Sequence, residues 1–422
     1  MRVAVMGLGY VGLPLSIEFI RGGLEVVGID VSEEKIAMLK TGRSYVLDVP
    51  DEVVARIVRD GQLVPTTDSS VLCDVDAVCI CVPTPLTKTK DPDISHILDA
   101  VAVVERHLHR GMLVVLESTT YPGTTEELVL PRLESTGLKV GVDFFLAFSP
   151  ERVDPGNTQY TIRNTPKVIG GVTPRCTEKA AALYRHAVDR IVPVSTPRSA
   201  EMTKLLENTY RAINIGLVNE LAIMCDRLGL DVWEIIEAAK SKPFGYVAFY
   251  PSPGLGGPCI PVDPHYLSWK LKTYNYAARF IELATAINSS MPEFVVRKIA
   301  DALNDERKSV RGSSVLILGA AYKKNVNDTR ESPALDILAL LRKKGAEVQY
   351  ADPYVPSIEI LGEELYAYDL SRGIERFDCV AIITDHDAFD YDGLLRRARL
   401  VFDGRNATAG RPVPPTCRVV KL

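Results

Sequence analysis

A glycine turn set between an apolar strand and a helix, near the start of the chain, constrains this fold more than any other feature. RVAVM at 2–6 reads as a short strand, GLGYVG follows with Gly7, Gly9 and Gly12, and Pro14 to Ile20 reads as a helix. Glycines at those offsets permit a tight turn, close approach of backbone to a pyrophosphate and close packing of helix on sheet, while the helix N-terminus contributes N–H groups and a positive dipole. VVGID at 26–30 reads as the next strand, and Asp30 lies 18 residues after Gly12. A carboxylate there accepts from a ribose 2′-OH and repels a 2′-phosphate, so the pattern expects NAD over NADP. Alone, GxGxxG also fits a plain tight turn; the strand, helix and acid around it favour the dinucleotide.

Further apolar runs at 75–82, 111–118 and 143–150 alternate with helical patterns, which implies right-handed crossovers and a mostly parallel, doubly wound sheet. From about Arg198 the texture becomes helical, with a second helical stretch from about Ala277 to Leu303. Between them lies KPFGYVAFYPSPGLGGPCIPVDP, rich in Gly and Pro; a long ordered loop in a helical region tends to be functional. SVLILGA at 314–320 repeats the strand-and-glycine opening, a helix follows from about Pro333 to Lys344, and AEVQYADP, DCVAIITDH and RLVFDGRN read as later strands. The expected architecture is therefore α/β, two Rossmann-like doubly wound domains joined by a helical central domain, with limits 1–197, 198–305 and 306–422.

The 422 residues exceed one ordinary core, and a formal charge of -5 argues against a nucleic-acid surface. No run of about 18 apolar residues suggests a membrane span, and the glycine-punctuated N-terminus reads as folded rather than as a signal peptide, so a cytoplasmic protein is expected. The eight cysteines are scattered without a paired framework, as reduced thiols are. Alternation puts Cys79 and Cys81 on one strand face, where buried cysteine is commoner than metal ligation; no metal is expected.

Four groups carry candidate chemistry. Cys259, in GGPCIPVDP beside Gly256, Gly257 and Asp263, is either a small apolar residue or a nucleophile that captures an aldehyde. The glycines are expected to leave backbone exposed near it. Lys204, Asn208 and Arg211 share a helix face that is either solvated or turned to a developing alkoxide or thiohemiacetal oxygen. Glu151 in SPERVDPGN is either an exposed loop acid or, with burial raising its pKa, the base that activates water. Thr119 in ESTTYPG and Thr84 in PTP follow strands, at the edge where ligands bind in such folds, or else serve ordinary loops.

Read together, GLGYVG, ESTTYPG, SPERVDPGN, the AEMTKLLEN helix, GGPCIPVDP, AYKKNVNDTRESPA and DGRN resemble the UDP-glucose/GDP-mannose dehydrogenase family, in its order and over nearly the whole chain. The resemblance implies an NAD-binding N-terminal domain, a central helical domain used for homodimerisation and a nucleotide-sugar-binding C-terminal domain. It implies Cys259 as nucleophile, Lys204 and Asn208 around the reacting oxygen, Asp263 and Thr119 holding water, and Glu151 as general base. Arg152 and Val153 resemble the sugar-contacting loop, Lys323 and Arg405 reach the substrate, and Arg330 contacts NAD. The cofactor set then comprises Gly7, Gly9, Tyr10, Val11, Gly12, Asp30, Lys35, Thr84, Thr119 and Arg330. Arg211, Tyr250 and Gly256 join Glu151, Arg152, Val153, Lys204, Asn208, Lys323 and Arg405 in the substrate set.

Within the family, KPFG, FYPSPGLGG and PVDPHYLSWK look most like the branch acting on UDP-N-acetylhexosamines, best matched by UDP-N-acetylglucosamine 6-oxidation, with UDP-glucose and UDP-N-acetylmannosamine as alternatives. That branch carries His before the cysteine, where this chain has Pro258. The implied reaction uses two NAD per sugar. A two-electron hydroxyacid dehydrogenase leaves the second Rossmann-like unit unexplained, and a non-catalytic nucleotide-sugar sensor has no use for Cys259, Lys204, Asn208 and Asp263.

Overall fold

The computed structural model describes residues 1–422 except 47, 88–90, 155 and 158, so Pro155 of the SPERVDPGN run lies outside it. Contacts group the chain into two compact units, Met1–Glu207 with His265–Ala277, and Asn208–Pro264 with Ala278–Leu422.

The first unit is built on strands β1 (Arg2–Met6), β2 (Glu25–Ile29), β3 (Leu63–Thr66), β4 (Ala77–Ile80), β5 (Leu113–Leu116), β6 (Phe145–Phe148), β7 (Lys167–Gly171) and β8 (Ile191–Val194). Their order in the sheet is β3-β2-β1-β4-β5-β6-β7-β8, which opens with the 3-2-1-4-5-6 order of a dinucleotide-binding fold. Every pairing is parallel except β6 with β7. The strands read as continuous apolar runs because both faces are covered. Val3 and Val5 enter one core, with Cys79 and Cys81 on that same side, while Ala4 and Met6 enter the other. Strand order reverses between β1 and β4, so the crevice at their carboxyl ends is where a ligand belongs.

In the second unit, β9 (Ser314–Leu318), β10 (Glu347–Ala351), a hairpin β11 (Ser357–Ile360) and β12 (Glu363–Tyr366), β13 (Cys379–Ile382), β14 (Leu400–Asp403) and β15 (Arg418–Lys421) follow. The parallel sheet runs β10-β9-β13-β14-β15, the other common doubly wound order, with the hairpin apart from it. Val315 and Ile317 face one core, Leu316 and Leu318 the other. The helical middle expected from periodicity comprises the helices Pro197–Leu228, Val232–Lys240, Asp263–Lys272 and Arg279–Asp305. Among the described residues no helix is long and apolar enough to cross a membrane, and no cluster of three or more His, Cys, Asp or Glu side chains is arranged to hold a metal ion.

Candidate active site

The glycine turn joins β1 to the helix Gly12–Arg21. A Cβ at Gly12 would stand 1.9 Å from the Gly7 carbonyl oxygen, so only glycine lets the helix start that close to the turn, and Gly7 itself has φ +90. A Cβ on Gly9 meets nothing within 4 Å, which leaves the outer side of the turn open for a ligand. Asp30 is buried at the end of β2 and braces the turn: its Oδ2 accepts from the Leu8 N–H at 2.9 Å and its Oδ1 from the Ser32 N–H at 3.0 Å. Lys35 Nζ lies 3.5 Å from the same carboxylate. Val11 is the residue before the helix and Tyr10 is partly exposed beside it. This cradle of close-packed glycines, helix N-terminus and strand-end acid fits the diphosphate and ribose of NAD.

Beyond β4 and β5, Thr84 and Thr119 are half-buried at the sheet's carboxyl edge, and neither hydroxyl bonds another described residue. Thr119 therefore does not serve local backbone. Glu151, just beyond β6, is also half-buried rather than an exposed loop acid; its Oε1 accepts from the N–H groups of Arg152 at 2.7 Å and Val153 at 2.5 Å. The Arg152 guanidinium is occupied within this unit, paired with Glu207 at 2.6 Å and donating to the Pro166 carbonyl at 2.6 Å.

Next to Glu151 stands a buried group that the sequence reading overlooked. Lys167 Nζ donates to Glu117 Oε2 at 2.7 Å and lies 3.9 Å from Glu151 Oε2. The Tyr184 hydroxyl donates to Glu117 Oε1 and sits 3.6 Å from Cys79 Sγ. Burial pushes the Glu117 carboxyl above its usual range against the pull of Lys167. Burial would lower the Lys167 ammonium, but Glu117 and Glu151 outweigh it and hold the group above its ordinary value. Burial likewise pushes up the Cys79 and Cys81 thiols. The signal was present as charged residues abutting otherwise apolar strands, LVVLE and KVIGG.

The helix Pro197–Leu228 carries the oxygen-binding candidates. Lys204 is 8% exposed and its ammonium has no ion-pair or hydrogen-bond partner among the described residues, an uncommon state for a buried lysine. Asn208, one turn on, is equally buried, whereas Arg211 is exposed. The solvated-face alternative therefore fails for Lys204 and Asn208 and holds for Arg211.

In the second unit Asn208 donates from Nδ2 to Asp263 Oδ2 at 2.5 Å. Asp263 is buried and opens the helix Asp263–Lys272, with its N–H bonded to the Cys259 carbonyl at 2.8 Å. Cys259 is thus held in the turn leading into that helix, and its thiol is exposed. Upstream, the loop is pinned by a buried amide relay: Asn219 accepts from the Ser252 N–H at 2.8 Å and donates to Asn288 at 2.9 Å, and Asn288 donates to the Ala212 carbonyl at 3.1 Å. The glycine pair does not leave backbone exposed as expected. Gly257 is buried with φ +88, its N–H on the Arg330 carbonyl at 2.9 Å, and a Cβ there would meet the Tyr322 ring at 2.6 Å. At Gly256 a Cβ would meet Tyr322 Cβ at 2.7 Å. Both glycines let the cysteine loop lie flat against the segment after β9.

Lys323 follows the carboxyl end of β9, and Arg405 follows that of β14 with Nε on Asp385 at 3.1 Å. Both lie at the edge where a doubly wound sheet receives ligands. That segment is fastened by Asp352, which accepts from Ala320 N–H, Ala321 N–H and His386 at 2.7, 3.0 and 3.0 Å. The exposed Arg330 guanidinium pairs with Asp328 at 2.6 Å. The Tyr250 hydroxyl donates to Glu237 at 2.6 Å and accepts from Lys240 at 3.1 Å, so it is engaged with the helix Val232–Lys240. A groove of about 600 Å³ lies along Tyr210, Leu217, Phe244, Tyr246 and Val247.

Comparison with known proteins gives these parts a common frame. Residues 1–188 match the NAD binding domain of the UDP-glucose/GDP-mannose dehydrogenase family, residues 198–290 its central domain and residues 316–410 its UDP binding domain. The chain is 36% identical over 421 residues to the UDP-N-acetyl-D-mannosamine dehydrogenase of Pyrococcus horikoshii, covering 98% of this chain and 97% of that protein. It is 36% identical over 366 residues to the UDP-N-acetyl-D-glucosamine 6-dehydrogenase of Pseudomonas aeruginosa, covering 86% of this chain and 85% of that one. A solved structure of the UDP-D-ManNAc dehydrogenase from Pyrococcus horikoshii superposes with a TM-score of 0.90 at 35% identity, over 100% of this chain and 99% of that chain.

Proposed function

We infer the reaction from one premise: the chain belongs to the UDP-glucose/GDP-mannose dehydrogenase family and is an NAD-dependent oxidoreductase of nucleotide sugars. Our reading is that it oxidises C6 of UDP-N-acetylglucosamine to the uronate in two successive two-electron steps. One observation carries the reading. An exposed thiol, Cys259, is fixed at the head of a helix whose first residue, Asp263, is bonded to Asn208. A thiol so placed makes a second oxidation possible, because it converts an aldehyde into a species that can lose hydride again.

Bound NAD supplies the hydride acceptor for both oxidations, two NAD per sugar. Lys204, directly or through ordered water, takes the alcohol proton as the aldehyde forms. The Cys259 sulfur then bonds to the aldehyde carbon, and Lys204 and Asn208 stabilise the thiohemiacetal oxygen. The second oxidation leaves a thioester. Glu151 takes a proton from water held by Asp263 and Thr119, the water oxygen bonds to the thioester carbon, and the C–S bond breaks to return the thiolate. Arg152, Val153, Arg211, Tyr250, Gly256, Lys323 and Arg405 complete the proposed sugar-nucleotide contacts, and Arg330 and Lys35 those to NAD. The family matches support three domains, proposed at 1–197, 198–305 and 306–422, with homodimers formed through the apolar face around Leu217 and Phe244.

UDP-N-acetylmannosamine is the second reading, favoured by the Pyrococcus horikoshii relative, which is similar over nearly all of both chains. The covalent scheme is tested with Cys259→Ser: loss of uronate formation supports it, and uronate made at the wild-type rate excludes it.

A further inference from the structure

The buried Glu117–Lys167 pair takes no part in the steps above, yet the sheet aims it at Glu151. β6 and β7 run antiparallel with Phe148 opposite Gly170, so the same register carried past the strand ends sets residue 151 across from residue 167. On the other side β5 runs parallel to β6 with Leu116 opposite Phe148, which puts Glu117 level with Ser149, two residues before Glu151 and within reach of the Lys167 side chain. The reversal of β7 thus delivers the start of a strand, and a lysine, to the carboxyl edge of the parallel strands β1–β6. Lys167 meets Glu117 Oε2 at 2.7 Å and Glu151 Oε2 at 3.9 Å, and the Tyr184 hydroxyl holds the other oxygen of Glu117.

A buried ion pair is poor value for stability alone, since apolar side chains of similar size would pack there as well. This one has a second carboxylate in reach. Glu151 Oε1 is taken up by the Arg152 and Val153 N–H groups, while Oε2 makes no hydrogen bond among the described residues and has the Lys167 ammonium beside it. Other charged and titratable groups around this assembly are Glu117, Tyr184, Cys79 and Cys81; the Arg152 guanidinium is held by Glu207.

We propose that Lys167, fixed by Glu117 and Tyr184, is a positioning residue for thioester hydrolysis: it orients the Glu151 carboxylate so that Oε2 receives the water proton. The proposal rests on Glu151 being the hydrolytic base. In that step the water oxygen bonds to the thioester carbon, the C–S bond breaks, sulfur leaves as thiolate and the proton passes to Oε2; no electron acceptor takes part.

The test compares Lys167→Met, the charge-balanced Lys167→Met/Glu117→Gln double variant, which leaves no buried charge unpaired, and Glu151→Gln. Each full-length enzyme is given UDP-N-acetylglucosamine, or UDP-N-acetylmannosamine if the first is inert, with NAD. Stopped flow follows NADH, and intact mass after rapid quenching follows the thioester on Cys259. In the double variant the first NADH should form within about twofold of the wild-type rate, while hydrolysis should slow about tenfold with thioester accumulating. A merely structural role would slow the first NADH along with hydrolysis. Wild-type hydrolysis in the double variant, with thioester accumulating in Glu151→Gln, would overturn the role of Lys167 and leave Glu151 as the base. Wild-type hydrolysis in Glu151→Gln would overturn both.

Discussion

Replacing Gly12 by Ala tests the cofactor cradle where its geometry is tightest. The added Cβ would lie 1.9 Å from the Gly7 carbonyl oxygen, 3.0 Å from the Gly7 carbonyl carbon and 3.1 Å from Val5 Cγ1. A carbon and a carbonyl oxygen rest at about 3.3–3.6 Å, so the turn and the helix must separate by about 1.5 Å. Neither side yields cheaply, because one obstacle is backbone and the helix Gly12–Arg21 is buried along most of its length. Overpacking of this kind costs about 1–3 kcal/mol. The displaced N–H groups also lose their aim at the diphosphate, and each 1.4 kcal/mol so lost is about tenfold in affinity. Gly9→Ala is the control, since a Cβ there meets nothing within 4 Å of the protein and only a bound cofactor would notice it. Titration calorimetry with NAD and urea unfolding read the two effects separately. Gly12→Ala should lower the unfolding midpoint and weaken NAD at least about tenfold; Gly9→Ala should weaken NAD at an unchanged midpoint. Wild-type NAD affinity in both variants would refute the placement of the cofactor on this turn.

Asp30 braces Leu8, and its proposed second role, guarding against a 2′-phosphate, separates from the first by substitution. Asp30→Asn retains an acceptor for the Leu8 N–H, so it should keep stability while shrinking the ratio of kcat/KM for NAD to that for NADP; Asp30→Ala leaves that buried N–H unpaired and should cost about 1–3 kcal/mol in urea unfolding. In the second unit, burial pushes the Asp352 carboxyl up, but the bonds from His386 and the Ala321 N–H outweigh it and hold it below the usual range. A depressed carboxylate stabilises the fold above its unfolded pKa of about 3.9, and that contribution is lost as pH falls through the lower folded value. Asp352→Asn should therefore flatten the fall of the urea midpoint below about pH 4; an unchanged slope would show that Asp352 does not contribute to acid sensitivity.

Much of the fold was legible because its strands are short apolar runs with glycine turns and amphipathic helices between them. SVLIL and RVAVM announce their sheets, and the helix Pro333–Lys343 lies where its periodicity predicts. Three of the strands that escaped notice have local reasons. β3 contains Pro65, β7 is five residues with two glycines, and β8 contains Pro193; all three take their strand identity from neighbours rather than propensity. The reversal of β7 could not be read at all, and with it went the meeting of Lys167, Glu117 and Glu151, which are brought together by sheet register across 50 residues. Cys259, Asp263 and Asn208 were legible as residue types in motifs, yet the Asn208–Asp263 bond and the packing of Gly256 and Gly257 on Tyr322 belong to tertiary structure. Local sequence alone could not choose between a solvated and a buried face for Lys204, because both demand the same helical spacing.

The most direct test of a four-electron oxidation at C6 is the yield of NADH from limiting sugar. UDP-N-acetylglucosamine, UDP-N-acetylmannosamine, UDP-N-acetylgalactosamine and UDP-glucose are each supplied in deficit to enzyme and excess NAD, and the product is identified by mass. Two NADH per sugar and a uronate are expected from UDP-N-acetylglucosamine. One NADH per sugar with an aldehyde or ketone as product would contradict a four-electron oxidation, since Cys259 would then have no thioester to form.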